Sequence, residues 1–346
     1  MPILLLQKQY LKDSHSLIQT LEHLKPPPNS FIFTFDVESL YPSIPPKLGL
    51  EALRKIITPH FSTSKTNLIY TLSALTLEYH FLSFDDVIYQ QVKGTTMGSN
   101  FSVVYACLFL AHLENSQPPH PNLCFFTRYI DDAFGIWTGT KLELENYLQF
   151  YNTSTNNCIK LTITTSPSRL PFLDLWINLE NSKFSFNCYQ KPQNAYQYLP
   201  FSSEHPLHLK RHFIINELKR YLIRESTPLG FRRMKKLFFT RLITRGYPPS
   251  FIKENYKNVP FRVRKSLIYS RKPKSTLLPV IFKLRYTRDT PRIGIHDMLK
   301  NLHEDLLLDP KLSQIPRPFV CWTKSKSIHS FLVKTKYKRS SPKSLT

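Results

Sequence analysis

The chain has 346 residues, 41% hydrophobic and 13% aromatic, enough apolar material for one large core or two modules; an intrinsically disordered protein is excluded. Lys and Arg outnumber Asp and Glu 47 to 24, a net charge of +23 that points to a polyanionic partner. The excess is one-sided: residues 1–190 carry 13 basic against 15 acidic side chains, and residues 191–346 carry 34 against 9.

In chain order, a helix is expected over Tyr10–Leu24. Phe31–Val37 then reads as a strand that buries Phe and Ile, carries Asp36 at its end, and is forced out of its sheet by Pro45-Pro46. Gln91–Asn100 holds two of the eight glycines, Gly94 and Gly98, suggesting a loop whose backbone approaches something closely before a helix starts in the apolar run Phe101–Leu113. Read alone, that loop is also compatible with an ordinary helix entry.

Cys124–Thr127 and Ala133–Trp137 flank Tyr129-Ile130-Asp131-Asp132, the pattern of a β-hairpin with two carboxylates at its tip. Adjacent acids repel, and a hard divalent cation lets both stay ionised. An isolated Asp-Asp pair is ordinarily a solvated turn. Here Asp36, at a second strand end, supplies a third acid, the layout for two magnesium ions in an in-line phosphoryl displacement.

Farther on, His208–Arg224 has the apolar spacing of an amphipathic helix. Thr227–Gly230 breaks it, and Phe231–Arg245 continues as a second basic helix ended by Gly246 and Pro248-Pro249. Aromatics interleaved with the charges, as in Phe261-Arg262-Val263-Arg264-Lys265, argue for a nucleic-acid surface over a solvated basic tail. The five cysteines, Cys107, Cys124, Cys158, Cys188 and Cys321, form no C-x-x-C pair, which argues against a zinc site or disulfide scaffold and fits a reducing compartment. Met1–Leu6 is too short for a signal segment, and Val103–Leu113 too short to span a bilayer.

Taken in order, Phe35–Tyr41, Gln91–Ser99 and Arg128–Asp132 resemble the palm motifs of reverse transcriptases, and of the Penelope-like retroelement class in particular. Leu170–Leu175 is similar to that family's primer-grip hairpin. Lys191-Pro192, Tyr198-Leu199 and Ser203–Pro206 with Lys210 resemble its entry to the thumb, so the likeness spans roughly residues 10–260. It implies Asp36 and Asp131 as principal metal ligands with Asp132 assisting, and magnesium or manganese as the cofactor. It further implies Val37, Tyr41, Gln91 and Gly94 around the incoming nucleotide, the Tyr41 ring disfavouring a 2′-hydroxyl. The basic second half adds Lys191, Lys210, Arg211, Lys219 and Arg220 as nucleic-acid contacts, made to backbone and shape rather than to bases.

The resulting expectation is an α+β polymerase palm, an antiparallel sheet backed by helices, followed by a helical thumb. The divisions are 1–30 a linking helix, 31–200 the palm, 201–290 the basic thumb, and 291–346 a partly disordered extension frayed over 323–346. Only 35 residues precede Asp36, so the fingers are expected to be truncated, and neither half of a GIY-YIG nuclease motif is present. Function is read as RNA-directed DNA synthesis from an RNA template, a DNA primer and deoxynucleotide triphosphates, by an intracellular, nuclear protein with no membrane role. The alternatives are a catalytically inactive relic that only binds nucleic acid, and a telomerase-like or group II intron-like polymerase.

Overall fold

A computed structural model describes residues 3–85, 87–270, 280–285, 294–312 and 315–323. The chain divides into two compact units, Met1–Ser270 and Arg271–Thr346.

The first unit begins with α1 (Ser14–Leu21), shorter than the expected Tyr10–Leu24 at both ends. Asp13 starts it, its carboxylate accepting from the Ser16 amide at 2.8 Å, a capping box that fixes the first turn. Tyr10 lies outside the helix because residues 9–11 extend along a strand edge: Arg128 N donates to Gln9 O at 2.6 Å and Leu11 N to Arg128 O at 2.8 Å.

Strand β1 (Phe31–Val37) leads through α2 (Leu40–Ser43) into α3 (Pro46–Ile57) and α4 (Thr63–Glu78). A hairpin of β2 (Phe81–Phe84) and β3 (Val87–Gln90) precedes α5 (Asn100–Ser116), whose N-cap Ser99 hydroxyl accepts from the Phe101 amide. Strands β4 (Leu123–Tyr129) and β5 (Asp132–Trp137) form the expected hairpin, followed by α6 (Lys141–Thr153) and β6 (Leu161–Ser166). The four-stranded sheet has the order β4-β5-β1-β6 with every pair antiparallel. Strands β7 (Arg169–Phe172), β8 (Leu175–Glu180) and β9 (Lys183–Cys188) make a separate antiparallel meander.

Strand alternation divides β1 and β5 between two cores. Phe33, Phe35, Val37, Ala133 and Trp137 pack on the helical side with residues of α3, α5 and α6. Ile32, Phe134 and Ile136 pack on the other side with α1 and β7–β9. Asp36 and Asp132 have the parity of this second face.

The helical part comprises α7 (Leu207–Arg224), α8 (Pro228–Thr244), α9 (Pro249–Tyr256) and α10 (Arg264–Tyr269). Ile214, Leu218 and Leu222 of α7 meet Phe231, Met234, Phe238 and Leu242 of α8 in a third core. Helix α8 starts three residues earlier than its apolar pattern predicts. Thr227 caps it, accepting from the Gly230 amide at 3.1 Å, and Pro228 occupies the first turn, where its missing N–H has no partner to lose. The unit ends at Ser270, inside the span 201–290 expected for a single helical module.

The second unit contains a parallel pair, β10 (Ile281–Arg285) and β11 (Phe319–Thr323), with α11 (Ile295–Leu306) between them in sequence. The fraying expected over 323–346 falls, beyond Thr323, outside the described residues. No helix among the described residues is long and apolar enough to cross a membrane.

Candidate active site

The β4–β5 turn follows from its register. Tyr129 pairs with Asp132, leaving Ile130 and Asp131 as a two-residue loop, with Ile130 at φ 58° and Asp131 at negative φ. A positive φ at the first loop residue matches the right-handed twist of the flanking strands. It is unfavourable for a β-branched residue by about 1–3 kcal/mol, so the surroundings must hold it.

Arg128 provides that hold. Its Nη1 donates to the Ile130 carbonyl at 2.6 Å, and its Nη2 donates to the Cys107 carbonyl at 3.2 Å and to Glu114 Oε2 at 3.0 Å. Its Nε makes a second, closer bond to Glu114 Oε1, which the Tyr151 hydroxyl also reaches at 3.4 Å. Burial opposes the charge on Arg128, yet the Glu114 carboxylate outweighs it and holds the guanidinium above its ordinary pKa. Both partners are buried, so α5 and the hairpin are joined by a dry bidentate pair.

That turn brings Asp131 toward the other two acids. Phe35 pairs with Ala133, and continuing the register one step sets Asp36 opposite Asp132 on one face of the sheet. The three carboxylates share a field. Asp132 is pushed up to about 6 by burial, then by Asp131 and Asp36, with Lys191 acting in the opposite sense. Asp36 is raised by burial, then by Asp131 and Glu38, against the lowering effect of a hydrogen bond from the Val37 backbone. Burial, then Asp131, raises the Tyr41 phenol as well.

Gly94 sits at φ 69°, and a Cβ there would lie 2.4 Å from both Pro42 Cα and the Tyr41 carbonyl oxygen. Thr95 N donates to that same Tyr41 oxygen at 2.9 Å, and the Thr95 and Ser102 hydroxyls bond at 2.8 Å. The close approach read from the glycine spacing is therefore to the Tyr41-Pro42 backbone, which binds the second motif to the end of the first. Gln91 is held through its amide by the His80 carbonyl at 2.9 Å, and its side chain donates to Lys93 O at 2.8 Å. The Val37 side chain is buried in the helical-side core, leaving only its backbone to face the acids.

Among the basic residues, Lys191 is exposed and lies in the field of Asp132. Arg211 is exposed, 5.7 Å from the Phe251 ring centroid, Lys219 is half-buried, and Arg220 is paired with Glu217 at 2.9 Å. Lys210 departs from the expected phosphate contact. It is 4% exposed and its Nζ donates at 2.7 Å to the Phe201 and Ser203 carbonyls, so it closes the loop before α7.

Glu114 was not anticipated as a site residue. Its signal was an acid at the end of the long apolar run Phe101–Leu113, where an unpaired carboxylate would be costly. The β7–β8 turn is anchored in a similar way: Leu173 has φ 53°, and Asp174 forms an ion pair with Arg224 at the end of α7.

For a metal, the donor set is the test. Asp131 raises the pKa of both Asp36 and Asp132, an electrostatic setting that a divalent cation relieves, and carboxylate oxygens are of the type hard cations take. Among the described residues, no three His, Cys, Asp or Glu side chains are already gathered to hold an ion. The residues fit a cation by donor type.

Residues 197–257 match a family described as an animal helix-turn-helix domain. No curated protein matches the chain. Among solved structures, it is similar to telomerase from Candida albicans in complex with a TWJ fragment of telomeric RNA, at a TM-score of 0.53 and 11% identity, covering 89% of this chain and 53% of that one. It is also similar to an insertion-loop deletion mutant of the RNA-dependent RNA polymerase of a human picorbirnavirus, at 0.47 and 12%, covering 73% and 52%. The chain thus spans about half the length of each. Together with the antiparallel sheet backed by helices and the helices that follow it, the telomerase likeness identifies a nucleic-acid polymerase fold of the α+β class.

Proposed function

We propose that this chain is the palm and helical thumb of an RNA-directed DNA polymerase of the Penelope-like retroelement class, acting in the nucleus on an RNA template, a DNA primer and deoxynucleotide triphosphates. The observation that supports the reading is the β1–β5 register, which continues to set Asp36 opposite Asp132 beside the turn carrying Asp131, with Asp131 raising the pKa of both.

In this reading Asp36 and Asp131 hold magnesium or manganese, with Asp132 assisting. When bound, such ions supply positive charge that favours ionisation of a 3′-hydroxyl and stabilises the leaving oxygen. Arg128 holds the turn that carries Asp131. Tyr41 stands beside Asp131 where it can pack under a sugar, and its backbone is set by Gly94 and Thr95. Gln91 and Gly94 form the floor beneath the nucleotide. Lys191 supplies a cation next to Asp132, suited to a phosphate, and Arg211, Lys219 and Arg220 of α7 contact the duplex backbone. One observation favours the rival reading of a relic that binds nucleic acid without turnover: no ready-made three-group metal site exists among the described residues.

Two measurements decide between them. Titration calorimetry with Mn2+ should show saturable binding that Asp131→Asn weakens at least tenfold. In a protein with a fingers segment fused upstream, extension of a DNA primer on an RNA template should be abolished by the same substitution while template binding persists, because Asn keeps the shape and removes a full charge. Equal incorporation by the two proteins would end the polymerase assignment of this hairpin, and absence of saturable Mn2+ binding would favour the relic.

A further inference from the structure

Helices α8 and α9 and the segment 259–261 line an open groove of about 490 Å³, within the roughly 300–1,000 Å³ range of small-ligand sites. Four cations line it, Arg232, Lys235, Lys236 and Lys253, and no carboxylate is among its described lining residues. Its walls are aromatic. The Lys235 ammonium lies 5.4 Å from the Phe231 ring centroid and 5.1 Å from that of Tyr256. Phe239 stands 6.3 Å from Tyr256, centroid to centroid, and is half-buried, leaving part of its ring open.

Lys235 is what separates this groove from an ordinary basic surface. It is half-buried and its Nζ makes a 3.3 Å hydrogen bond to the Tyr256 carbonyl. The Tyr256 hydroxyl in turn donates to the Lys235 carbonyl at 3.1 Å, so the two helices hold this ammonium in place. An ammonium has three hydrogens to donate, and one protein acceptor leaves capacity for an anion. The exposed Arg232, Lys236 and Lys253 surround that position with further positive charge. Cationic rim and aromatic wall together are the two halves of a single-strand site: the cations track phosphates and the rings stack bases.

We propose that this groove takes an unpaired nucleotide of a single-stranded nucleic acid, its base against Phe239 and its phosphates on Arg232, Lys235, Lys236 and Lys253. That the polyanion is a nucleic acid rests on the polymerase reading above; the site itself lies in α8 and α9 and uses none of the three aspartates. It differs from the backbone grip of α7 in requiring a base. A duplex, whose bases are stacked inward, cannot satisfy the aromatic half.

The test is fluorescence anisotropy on the full chain with labelled oligo(dT), an abasic strand of equal length and charge, and a DNA duplex. The triple variant Arg232→Gln/Lys236→Gln/Lys253→Gln changes only exposed side chains. It should flatten the salt dependence of oligo(dT) binding by about two in log–log slope, from about 0.7 per neutralised phosphate on single strands. Phe239→Leu, which keeps the site apolar, should weaken oligo(dT) binding about tenfold and leave abasic-strand and duplex binding unchanged. Thermal melting of each variant establishes that it is folded. Unaltered slope and affinity in the triple variant, or equal losses for thymine and abasic strands in Phe239→Leu, would overturn the proposal. Either failure with Mn2+ binding intact rejects the groove alone. Loss of Mn2+ binding in Asp131→Asn with the groove signals preserved bears only on the polymerase reading.

Discussion

Removing one carboxylate from the acidic cluster should make the metal-free protein more stable. Asp132 rises from 3.8 to about 6, first through burial and then through Asp131 and Asp36. Two units correspond to about 3 kcal/mol of preference for the protonated form, which solvent screening at a partly exposed site reduces to about 1 kcal/mol. The sign follows from linkage: a carboxyl whose folded pKa exceeds its unfolded one binds its proton more tightly in the native state. Its favourable contribution is complete below pH 3.8 and is lost as pH rises through 6. Asp132→Asn removes this dependence. Urea unfolding in EDTA from pH 4 to 8 should therefore show a wild-type–variant difference close to zero at the acid end that grows to about 1 kcal/mol in favour of the variant above pH 6. Magnesium should reverse the order by stabilising the wild type. A variant that is less stable at pH 7.5, or a difference independent of pH, would show that the carboxylates do not share a field and would remove the physical case for a cation between them.

Gly94→Ala combines a positive φ with a Cβ 2.4 Å from the Tyr41-Pro42 backbone; we expect a loss of at least about 2 kcal/mol in chemical denaturation. Glu114→Gln leaves the Arg128 guanidinium buried without its counter-charge and should destabilise by about 3–5 kcal/mol, read as a lower urea midpoint with an unchanged slope. Neutralising Arg211, Lys219 and Arg220 together should weaken RNA–DNA hybrid binding for all sequences and flatten its salt dependence, as judged by filter binding at several salt concentrations. Lys210→Met should instead lower the melting temperature with little change in that slope, because its charge is engaged internally.

Much of this was legible in the sequence where one periodicity dominated. Phe31–Val37 is a strand over its whole expected length because alternate residues serve two different cores. The hairpin around Asp131 forms between the two expected β-rich runs, which extend to Tyr129 and from Asp132 so that two residues make the turn, and α7 differs from the expected His208–Arg224 by one residue. Elsewhere tertiary context, which no periodicity contains, chose the face. In α4, Leu68, Leu72 and Leu75 recur at helical spacing yet remain 44–58% exposed, while Thr66 and Ser73 are buried. The Ser73 hydroxyl donates to the Ile69 carbonyl at 2.7 Å, which satisfies it inside. Lys210 misled for a related reason: the loop preceding α7 presents carbonyls that need a donor, a demand no charge count contains.

The site depends on a single register. A slip of one residue between β1 and β5 would turn Asp36 to the helical side and separate it from Asp132. The pairing that resists such a slip is Phe33 with Gly135, where a Cβ on the glycine would come within 2.3 Å of the Phe33 ring. The ring therefore fills the space a side chain at 135 would occupy. Shifted by one, it would meet Phe134 or Ile136, each already packed in the opposite core. Gly135, three residues beyond the acids, reads from sequence as a weak point in a strand, since glycine there loses entropy and packs nothing. In the fold it is the position that lets β1 lie against β5 in one alignment. That alignment and the Arg128–Glu114 pair act on different coordinates of the same site: the first sets which face Asp36 and Asp132 share, the second sets where the turn carries Asp131. Neither pair includes one of the three aspartates, yet each positions a strand or turn that carries one.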